Sequence, residues 1–258
     1  MSYTQAVSQI EAFKNIWESG YFEGDPLDPM GPCLYGQLGY MSILHATYLA
    51  CIKPYIHSDT SVLEIGAGRG AWTRTMLDAK QIAVLEAVPP QQSGFWDYVG
   101  RQPHVIYHEV SDFSCSPVPD NHFDYFWCFG VFCHIPNGGV ETYMENVYRK
   151  LRSGAHGFML HADFSIYNRA VQNPDLRDVR ACRGRRYAPA KKLWELIRRL
   201  SPMQSNMALS IEGGENEIGW HDLPNSKATR MLEDIGYRIA DANVGTIPRD
   251  PIIHFVKP

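Results

Sequence analysis

The segment VLEIGAGRGAW, residues 62–72, joins a short apolar run to a series of alternating glycines. An apolar run of this length predicts a buried strand. The glycines allow the backbone to turn sharply or to come close to a ligand, because they carry no Cβ atom. The residues AWTRTMLDA (71–79) then predict a helix. A strand, a glycine loop and a helix in this order predict the first half of a βαβ unit, and hence a parallel sheet.

Short apolar runs and helical patterns continue to alternate after this first unit. Further predicted strands are IAVLEAV (82–88), HVIYHEV (104–110), FDYFWCFG (123–130) and GFMLHA (157–162). The last two, YRIADANV (237–244) and DPIIHFV (250–256), are joined by a connection too short for a crossover helix, so they must pair antiparallel. We predict an α/β fold: a mostly parallel, Rossmann-like sheet with helices on both faces and an antiparallel last strand.

The pattern divides the chain into a cap, a main domain and an insertion. Residues 1–57 predict a helical N-terminal cap, with helices at about 5–18 and 37–53. Residues 58–258 predict the sheet domain. A polar, arginine-rich stretch at about 164–220 interrupts that domain between its fifth strand and its last helix.

Charge and composition argue against several classes of protein. The net charge of −4 gives no reason to expect a nucleic-acid partner. No apolar stretch approaches the about 20 residues of a membrane span, and the first residues lack a secretory signal. The six cysteines lie far apart without a CxxC pair, which is typical of reduced thiols in the cytoplasm. We expect a cytoplasmic protein without a membrane span or nucleic-acid partner, and the oligomeric state stays open.

The glycine loop and an acidic residue together predict a nucleoside-binding site. Glu86 ends the second strand 20 residues after Gly66, where a carboxylate can accept ribose hydroxyls. GAGRGA could bind a dinucleotide such as NAD, since it fits the GxGxxA pattern. However, Glu64 precedes the first glycine by two residues, and an acid there favours a ligand with an ammonium or sulfonium group. A tight strand-to-helix turn without a ligand is the third alternative.

Four motifs resemble those of class I S-adenosylmethionine-dependent methyltransferases: VLEIGAGRG, the acid in VLEAV, SDF at 111–113 and FDYFWCFGVFCHIP. The resemblance covers about residues 58–162 closely and 224–257 loosely. It implies a seven-stranded sheet with an antiparallel last strand. It also implies S-adenosylmethionine as cofactor and S-adenosylhomocysteine as product.

The same resemblance implies a set of cofactor contacts. Residues at the glycine loop would line the methionine part, Glu86 would hold the ribose, and Asp112 would bind the exocyclic amine of the adenine. A carbonyl after the fourth strand would accept a hydrogen bond from the amino group. Tyr35, beside flexible glycines, is our candidate from the cap. The full set is Glu64, Gly66, Ala67, Gly68, Glu86, Ala87, Val88, Ser111, Asp112, Phe113, Phe129, Gly130 and Tyr35.

Four polar residues near strand ends are candidates for catalysis. His134 follows the fourth strand, His161 and Asp163 follow the fifth, and His221 precedes the last helix. A histidine can take the proton of an acceptor hydroxyl, although His134 could equally bound the pocket as a wall. His161 with Asp163 would orient groups or contribute to a metal site, and each alone is as well explained structurally. No metal ligand is assigned; a divalent ion such as Mg²⁺ on Asp163, His134 and His221 is the weaker alternative, since no metal-ligand spacing is present.

The insertion suggests the type of acceptor. Ten of the 24 Lys and Arg residues lie between 169 and 199, and arginines suit carboxylate or phosphate groups. A solvated basic face would explain the same cluster. We predict methyl transfer to a hydroxyl of a small polar acceptor, anionic or saccharide-like. N- or C-methylation of another small metabolite, and a catalytically silent cofactor-binding module, are the alternatives.

Overall fold

The computed structural model of the chain describes residues 24–29, 42–166, 169, 220–247 and 250–258. Within these residues, seven strands form one sheet. The strands are β1 (Ser61–Ile65), β2 (Gln81–Glu86), β3 (Val105–Glu109), β4 (Phe123–Cys128), β5 (Leu151–Leu160), β6 (Arg238–Asp241) and β7 (Ile252–Val256). Their order across the sheet is β3-β2-β1-β4-β5-β7-β6.

The strand directions confirm the predicted fold class. β1 to β5 pair in parallel, whereas β7 pairs antiparallel with both β5 and β6. The short connection between β6 and β7 makes that pair antiparallel, because a parallel pair would need a longer crossover. Every residue of β1 is buried, as expected for a strand covered on both faces of a parallel sheet.

Helices cover both faces of the sheet. They are α1 (Ile43–Thr47), which continues as a π-helical turn (Tyr48–Ile52), α2 (Pro90–Ser93), α3 (Phe95–Val99), α4 (Asn137–Lys150) and α5 (Asn225–Ile235), with 3₁₀ turns at Thr73–Met76 and Phe132–His134. One core cluster packs α4 and α5 on Leu63 and Phe126. The other packs the π-helical turn and α3 on Val62 and Trp127. The alternation of these strand residues between the two clusters follows from the period of two in a strand.

The prediction of a helix over residues 71–79 is wrong. The structure has only the 3₁₀ turn Thr73–Met76 there. The hydroxyl of Thr75 donates to the carbonyl of Trp72 at 2.6 Å, and that of Thr73 donates to Glu64 at 2.6 Å. Hydroxyls bonded to nearby backbone or to another strand compete with regular helix formation, which explains the short turn.

The N-terminal part of the chain is described only in pieces. The helix predicted at 37–53 is described from Ile43 onward, as α1 and its π-helical continuation. The helix predicted at 5–18 lies outside the described residues, and the division into cap, domain and insertion stays a prediction. No helix within the described ranges is long and apolar enough to cross a membrane.

Two histidines face each other across β5 and β7. Nδ1 of His156 lies 2.8 Å from Nε2 of His254, and the His254 ring stacks on Phe158 with 4.3 Å between centroids. Burial, reinforced by His156, lowers the pKa of His254 from 6.5 to about 4. The folded protein therefore holds His254 in its neutral form at pH values where the unfolded chain already binds a proton.

We predict that this pair makes the protein acid-sensitive. The contribution of a His with a depressed pKa is fully present above pH 6.5 and is lost as the pH falls from 6.5 towards about 4. Between pH 6.5 and about 4, the free energy of unfolding of wild type should therefore fall by about 1–3 kcal/mol more than that of His254→Gln, as measured by urea unfolding. His57→Gln serves as control, since His57 is exposed, and its free energy of unfolding should depend on pH as that of wild type does. The same pH dependence for wild type and His254→Gln would contradict the prediction.

Candidate functional site

The loop after β1 turns back towards β2 on its glycines. The amide of Gly66 donates to the carbonyl of Leu85 at 2.9 Å, and Gly66 has a φ of +72°, which favours glycine. A Cβ atom on Gly66 would lie 2.0 Å from Cγ2 of Val131, and one on Gly70 would lie 2.2 Å from Cγ2 of Val99. At these two positions the missing side chain makes room for neighbouring protein side chains rather than directly for a ligand.

Glu86 is a buried carboxylate at the end of β2, held by the loop. The amide of Gly68 donates to its Oε2 at 2.8 Å, and the amides of Ala87 and Val88 donate to its Oε1 at 2.7 and 3.1 Å. Burial raises the pKa of Glu86, although the three backbone donors oppose that shift. An ionised carboxylate offers about four acceptor positions, so about one remains on Glu86 for a ribose hydroxyl.

Glu64 lies beneath the loop. Its side chain is 1% exposed, and Thr73 donates to its Oε2 at 2.6 Å. This contact ties β1 to the 3₁₀ turn that follows the glycines, so Glu64 does not project into open space as its position in the sequence suggested. A direct contact of Glu64 with the cofactor stays a prediction.

The residues predicted to frame an adenine follow β3 and β2. Ser111 and Asp112 are exposed. Oδ1 of Asp112 accepts from the hydroxyl of Ser114 at 2.6 Å and from its amide at 2.9 Å, and these bonds lower the pKa of Asp112. Phe113 packs against Tyr143, with 4.8 Å between ring centroids. The carboxylate of Asp112 is thus fixed and ionised at the sheet edge.

The remaining cofactor candidates lie at the ends of β1, β2 and β4. Ala67 and Val88 are buried, and Ala87 is partly buried. Phe129 packs its ring on Trp72 at 4.5 Å, and Gly130 is exposed. The structure thus places the described candidates after four neighbouring strands, at their carboxyl ends, where open α/β sheets bind ligands. Tyr35 lies outside the described residues.

Two of the four catalytic candidates lie on neighbouring segments beyond β4. His134 ends the 3₁₀ turn there, and its ring lies 6.2 Å from that of Trp220 in an edge-on arrangement. The amide of His221 donates to the carbonyl of Cys133 at 2.7 Å. Both histidines are partly buried. This places two imidazole groups on neighbouring segments at the same edge of the sheet.

His161 and Asp163 are deeper and more fully bonded. His161 is completely buried, and its ring nitrogens contact the carbonyl of Leu223 at 2.9 Å and the side-chain amide of Asn225 at 3.1 Å. Burial lowers the pKa of His161 despite these bonds. Asp163 accepts hydrogen bonds from Ser165, Ile166 and Asn225. These contacts support a structural function for both residues, and their predicted catalytic function stays untested.

The donor groups do not form a metal site. No group of three or more His, Cys, Asp or Glu residues within the described part of the chain could hold a metal ion. Both ring nitrogens of His161 contact protein atoms. The alternative of a divalent ion on Asp163, His134 and His221 is therefore not supported.

Sequence reasoning missed Thr73, Asp222 and Asn225. Oδ1 of Asp222 accepts from the amide of Phe164 at 2.9 Å, and burial raises the pKa of Asp222. A signal was present in the sequence: WHDLPN (220–225) places polar residues and a proline directly before a helix, which is typical of a helix start. Nothing in the sequence predicted that Asp222 and Asn225 would bond to the residues after β5.

Part of the chain matches a known protein family. Residues 62–154 match the model of a methyltransferase domain. No curated protein matches the chain in sequence. The match over residues 62–154 supports the resemblance to class I S-adenosylmethionine-dependent methyltransferases. The glycine loop and Glu86 fit that cofactor, because a carboxylate suits the ribose and the apolar Val88 suits the adenine ring.

Solved methyltransferase structures share the fold. A Burkholderia thailandensis 1,6-didemethyltoxoflavin-N1-methyltransferase, solved with its acceptor and S-adenosylhomocysteine, is 11% identical with a TM-score of 0.60 and covers 100% of this chain and 91% of its own. An S-adenosylmethionine-dependent methyltransferase from Mesorhizobium loti is 12% identical, with a TM-score of 0.56 and coverage of 83% and 98%. The DhpI–S-adenosylhomocysteine complex is 13% identical, with a TM-score of 0.55 and coverage of 100% and 98%. At these identities the likeness establishes the fold alone.

We predict that Gly66→Ala is strongly destabilising, because its Cβ would overlap Val131 and its φ is positive. The free energy of unfolding should fall by about 2–4 kcal/mol. Gly94→Ala is the matched control: Gly94 has a φ of +69° and nothing within 4 Å of its Cβ position, so it should cost only about 1 kcal/mol. Denaturant unfolding of both variants decides the matter, and equal losses would show that the overlap with Val131 has no effect.

Proposed function

We propose that the methyltransferase domain moves the methyl group of S-adenosylmethionine to a hydroxyl of a small polar acceptor, anionic or saccharide-like. The observation that carries the proposal is the pair of partly buried histidines, His134 and His221, beyond the end of β4. Val131 lies against Gly66 of the glycine loop and precedes His134 by three residues. A proton acceptor is therefore available next to the segment that would hold the cofactor.

In this proposal, residues at the ends of β2, β3 and β4 each bind a different part of the cofactor. Glu86 takes a ribose hydroxyl, Asp112 takes the exocyclic amine of adenine, and Val88 and Phe113 contact the adenine ring. The carbonyl of Phe129 or Gly130 accepts from the amino group. The exposed position of Asp112 and the buried position of Val88 agree with a polar and an apolar contact, respectively.

The chemistry assigned to the chain is alignment and proton transfer. When bound, S-adenosylmethionine would supply an activated methyl group on a sulfonium, with S-adenosylhomocysteine as the leaving group. His134 takes the acceptor proton on a ring nitrogen, which raises the nucleophilicity of the oxygen. Holding the two reacting atoms about 3–3.5 Å apart supplies much of the remaining acceleration.

The anionic character of the acceptor rests on the arginine-rich insertion. Of its ten basic residues, Arg169 is described; it is exposed, and its Nε donates to the carbonyl of Ser165 at 3.3 Å. The other nine lie outside the described residues. This part of the proposal is carried by the clustering of positive charge in the sequence, because arginine binds carboxylate and phosphate groups in two-pronged fashion.

N-methylation of a planar nitrogen heterocycle is the second candidate. Trp220 meets His134 edge-on and packs on a small apolar cluster of Cys133, Ala162 and Phe164. An aromatic wall of this kind suits a flat ring better than a sugar phosphate. The Burkholderia thailandensis structure, whose printed name is that of an N1-methyltransferase, makes such an acceptor worth including.

The cofactor part of the proposal predicts binding of S-adenosylhomocysteine and not of NAD. Calorimetric titration should give binding of the former to wild type, weakened at least about 10-fold in Glu86→Gln, which corresponds to the loss of one charged hydrogen bond. Glu109→Gln is the matched control, since Glu109 is exposed and lies beside Glu86 in register on β3. Binding of NAD instead, or equal affinities of the two variants, would refute the proposed pocket.

The catalytic part predicts a large effect of His134→Gln on turnover. Transfer of labelled methyl to a panel of sugar phosphates, uronic acids and N-heterocycles identifies the accepted class. With that acceptor, His134→Gln should lower kcat by about 10²–10⁴, the usual contribution of a general base, while S-adenosylhomocysteine affinity stays unchanged. His221→Gln is the control and should cost less. A larger loss in His221→Gln would transfer the function to His221, and no transfer to any acceptor would favour the silent module.

A further inference from the structure

We propose that His161 and Asp163 are positioning residues: they clamp the segment 220–225 to the end of β5 and thereby set His221 and Trp220 against His134. This proposal deepens the proposed function, on which its relevance to methyl transfer rests. It assigns the buried pair a task different from proton transfer. The task follows from which atoms each side chain contacts.

The ring of His161 is a fixed two-way connector. Nδ1 lies 2.9 Å from the carbonyl oxygen of Leu223, and a carbonyl can only accept, so Nδ1 carries the hydrogen. A neutral ring then has an acceptor at Nε2, which lies 3.1 Å from the atom assigned as Oδ1 of Asn225. The amide must therefore present its nitrogen there, since amide oxygen and nitrogen are assigned from the network. Neither ring nitrogen is left for a substrate proton.

Asp163 joins the residues after β5 to the start of α5 through one carboxylate. Its Oδ1 accepts from the amide and hydroxyl of Ser165 at 2.9 and 2.6 Å and from the amide of Ile166 at 3.1 Å. Its Oδ2 accepts from the amide of Asn225 at 2.9 Å, the first residue of α5. The side chain is thus shared between the residues that follow β5 and the helix that follows the segment 220–225.

Backbone contacts complete the clamp on the same segment. The amide of Leu223 donates to the carbonyl of Ala162 at 2.9 Å, and the amide of His221 donates to that of Cys133 at 2.7 Å. The side chain of Asp222 accepts a hydrogen bond from the amide of Phe164. The segment is therefore bonded to the turn after β4 through His221, and to the residues after β5 through Asp222 and Leu223. Trp220 and His221 are the first two residues of this segment.

The position of the proposed reactive groups depends on this clamp. The 6.2 Å separation of the His134 and Trp220 rings is set by one segment that starts from β4 and another that is held to β5. Loss of the bond between Asp163 and Asn225 releases the second segment at its helix end. The surroundings of His134 and His221 should then change, while the loop around Glu86, on the other side of β1, keeps its contacts.

Histidine NMR tests the clamp without an acceptor. In wild type, the ring ¹⁵N shifts of His161 should be those of a neutral Nδ1–H tautomer and should not titrate between about pH 5.5 and 8.5. In Asp163→Asn, the titrations of His134 and His221, assigned with single His→Gln variants, should shift clearly from wild type. Affinity for S-adenosylhomocysteine should stay within about 2-fold of wild type, which corresponds to less than about 0.5 kcal/mol.

Asp124→Asn is the matched control. Asp124 also accepts a backbone amide, from Ser61 at 2.9 Å, and an arginine, Arg152 at 2.9 Å, but at the opposite end of the sheet. It should leave both histidine titrations unchanged. If Asp163→Asn does not fold, Asn225→Ala removes the partner of Nε2 and should give the same shift of His134 and His221.

Three outcomes would overturn the proposal. They are a His161 that titrates in this range, titrations in Asp163→Asn or Asn225→Ala that match Asp124→Asn, and a loss of cofactor affinity as large as in Glu86→Gln. Failure of the proposed function is distinguishable from these. If no variant, including wild type, bound S-adenosylhomocysteine, the histidine spectra would still report whether the clamp exists.

Discussion

The carboxylate of Glu86 joins two neighbouring strands at the edge where the cofactor is proposed to lie. It ends β2 but is bonded by the amide of Gly68, from the loop after β1. A buried carboxylate without donors would be costly, so the loop turns the amide of Gly68 inward, beside the amides of Ala87 and Val88 that follow β2. That requirement fixes the path of the glycine loop, and the path of the loop fixes the space beside Val131 and the end of β4.

The edge of the sheet is therefore assembled from two units that differ in their polar contacts. Around β1 and β2, backbone amides converge on one acid, which leaves limited capacity for a ligand hydroxyl. Around β4 and β5, side chains of His161 and Asp163 hold a separate segment that carries Trp220 and His221. The first unit resembles the methyltransferase family in sequence, whereas the second is built from residues outside the family match at 62–154.

Sequence reasoning found the first unit because its signals are local. The alternation of strands and helices predicted the parallel sheet, and the short link between β6 and β7 predicted the antiparallel pair. Local signals also misled: AWTRTMLDA has a helical pattern, yet the hydroxyls of Thr73 and Thr75 bond elsewhere and leave only a 3₁₀ turn. Glu64 bonds with Thr73 beneath the loop, and its predicted contact with the cofactor is not tested by this bond.

The sequence by itself determined the fold class, the glycine loop and the acid that partners it, because each depends on residue types at short, regular spacings. Only the tertiary structure decided that Gly66 makes room for Val131 and that His161 is bonded on both nitrogens. It also decided that Asp163 meets Asn225, 62 residues away along the chain. Contacts of this kind depend on which strand ends become neighbours when the sheet forms. The spacing of residues along the chain does not determine which strands these are.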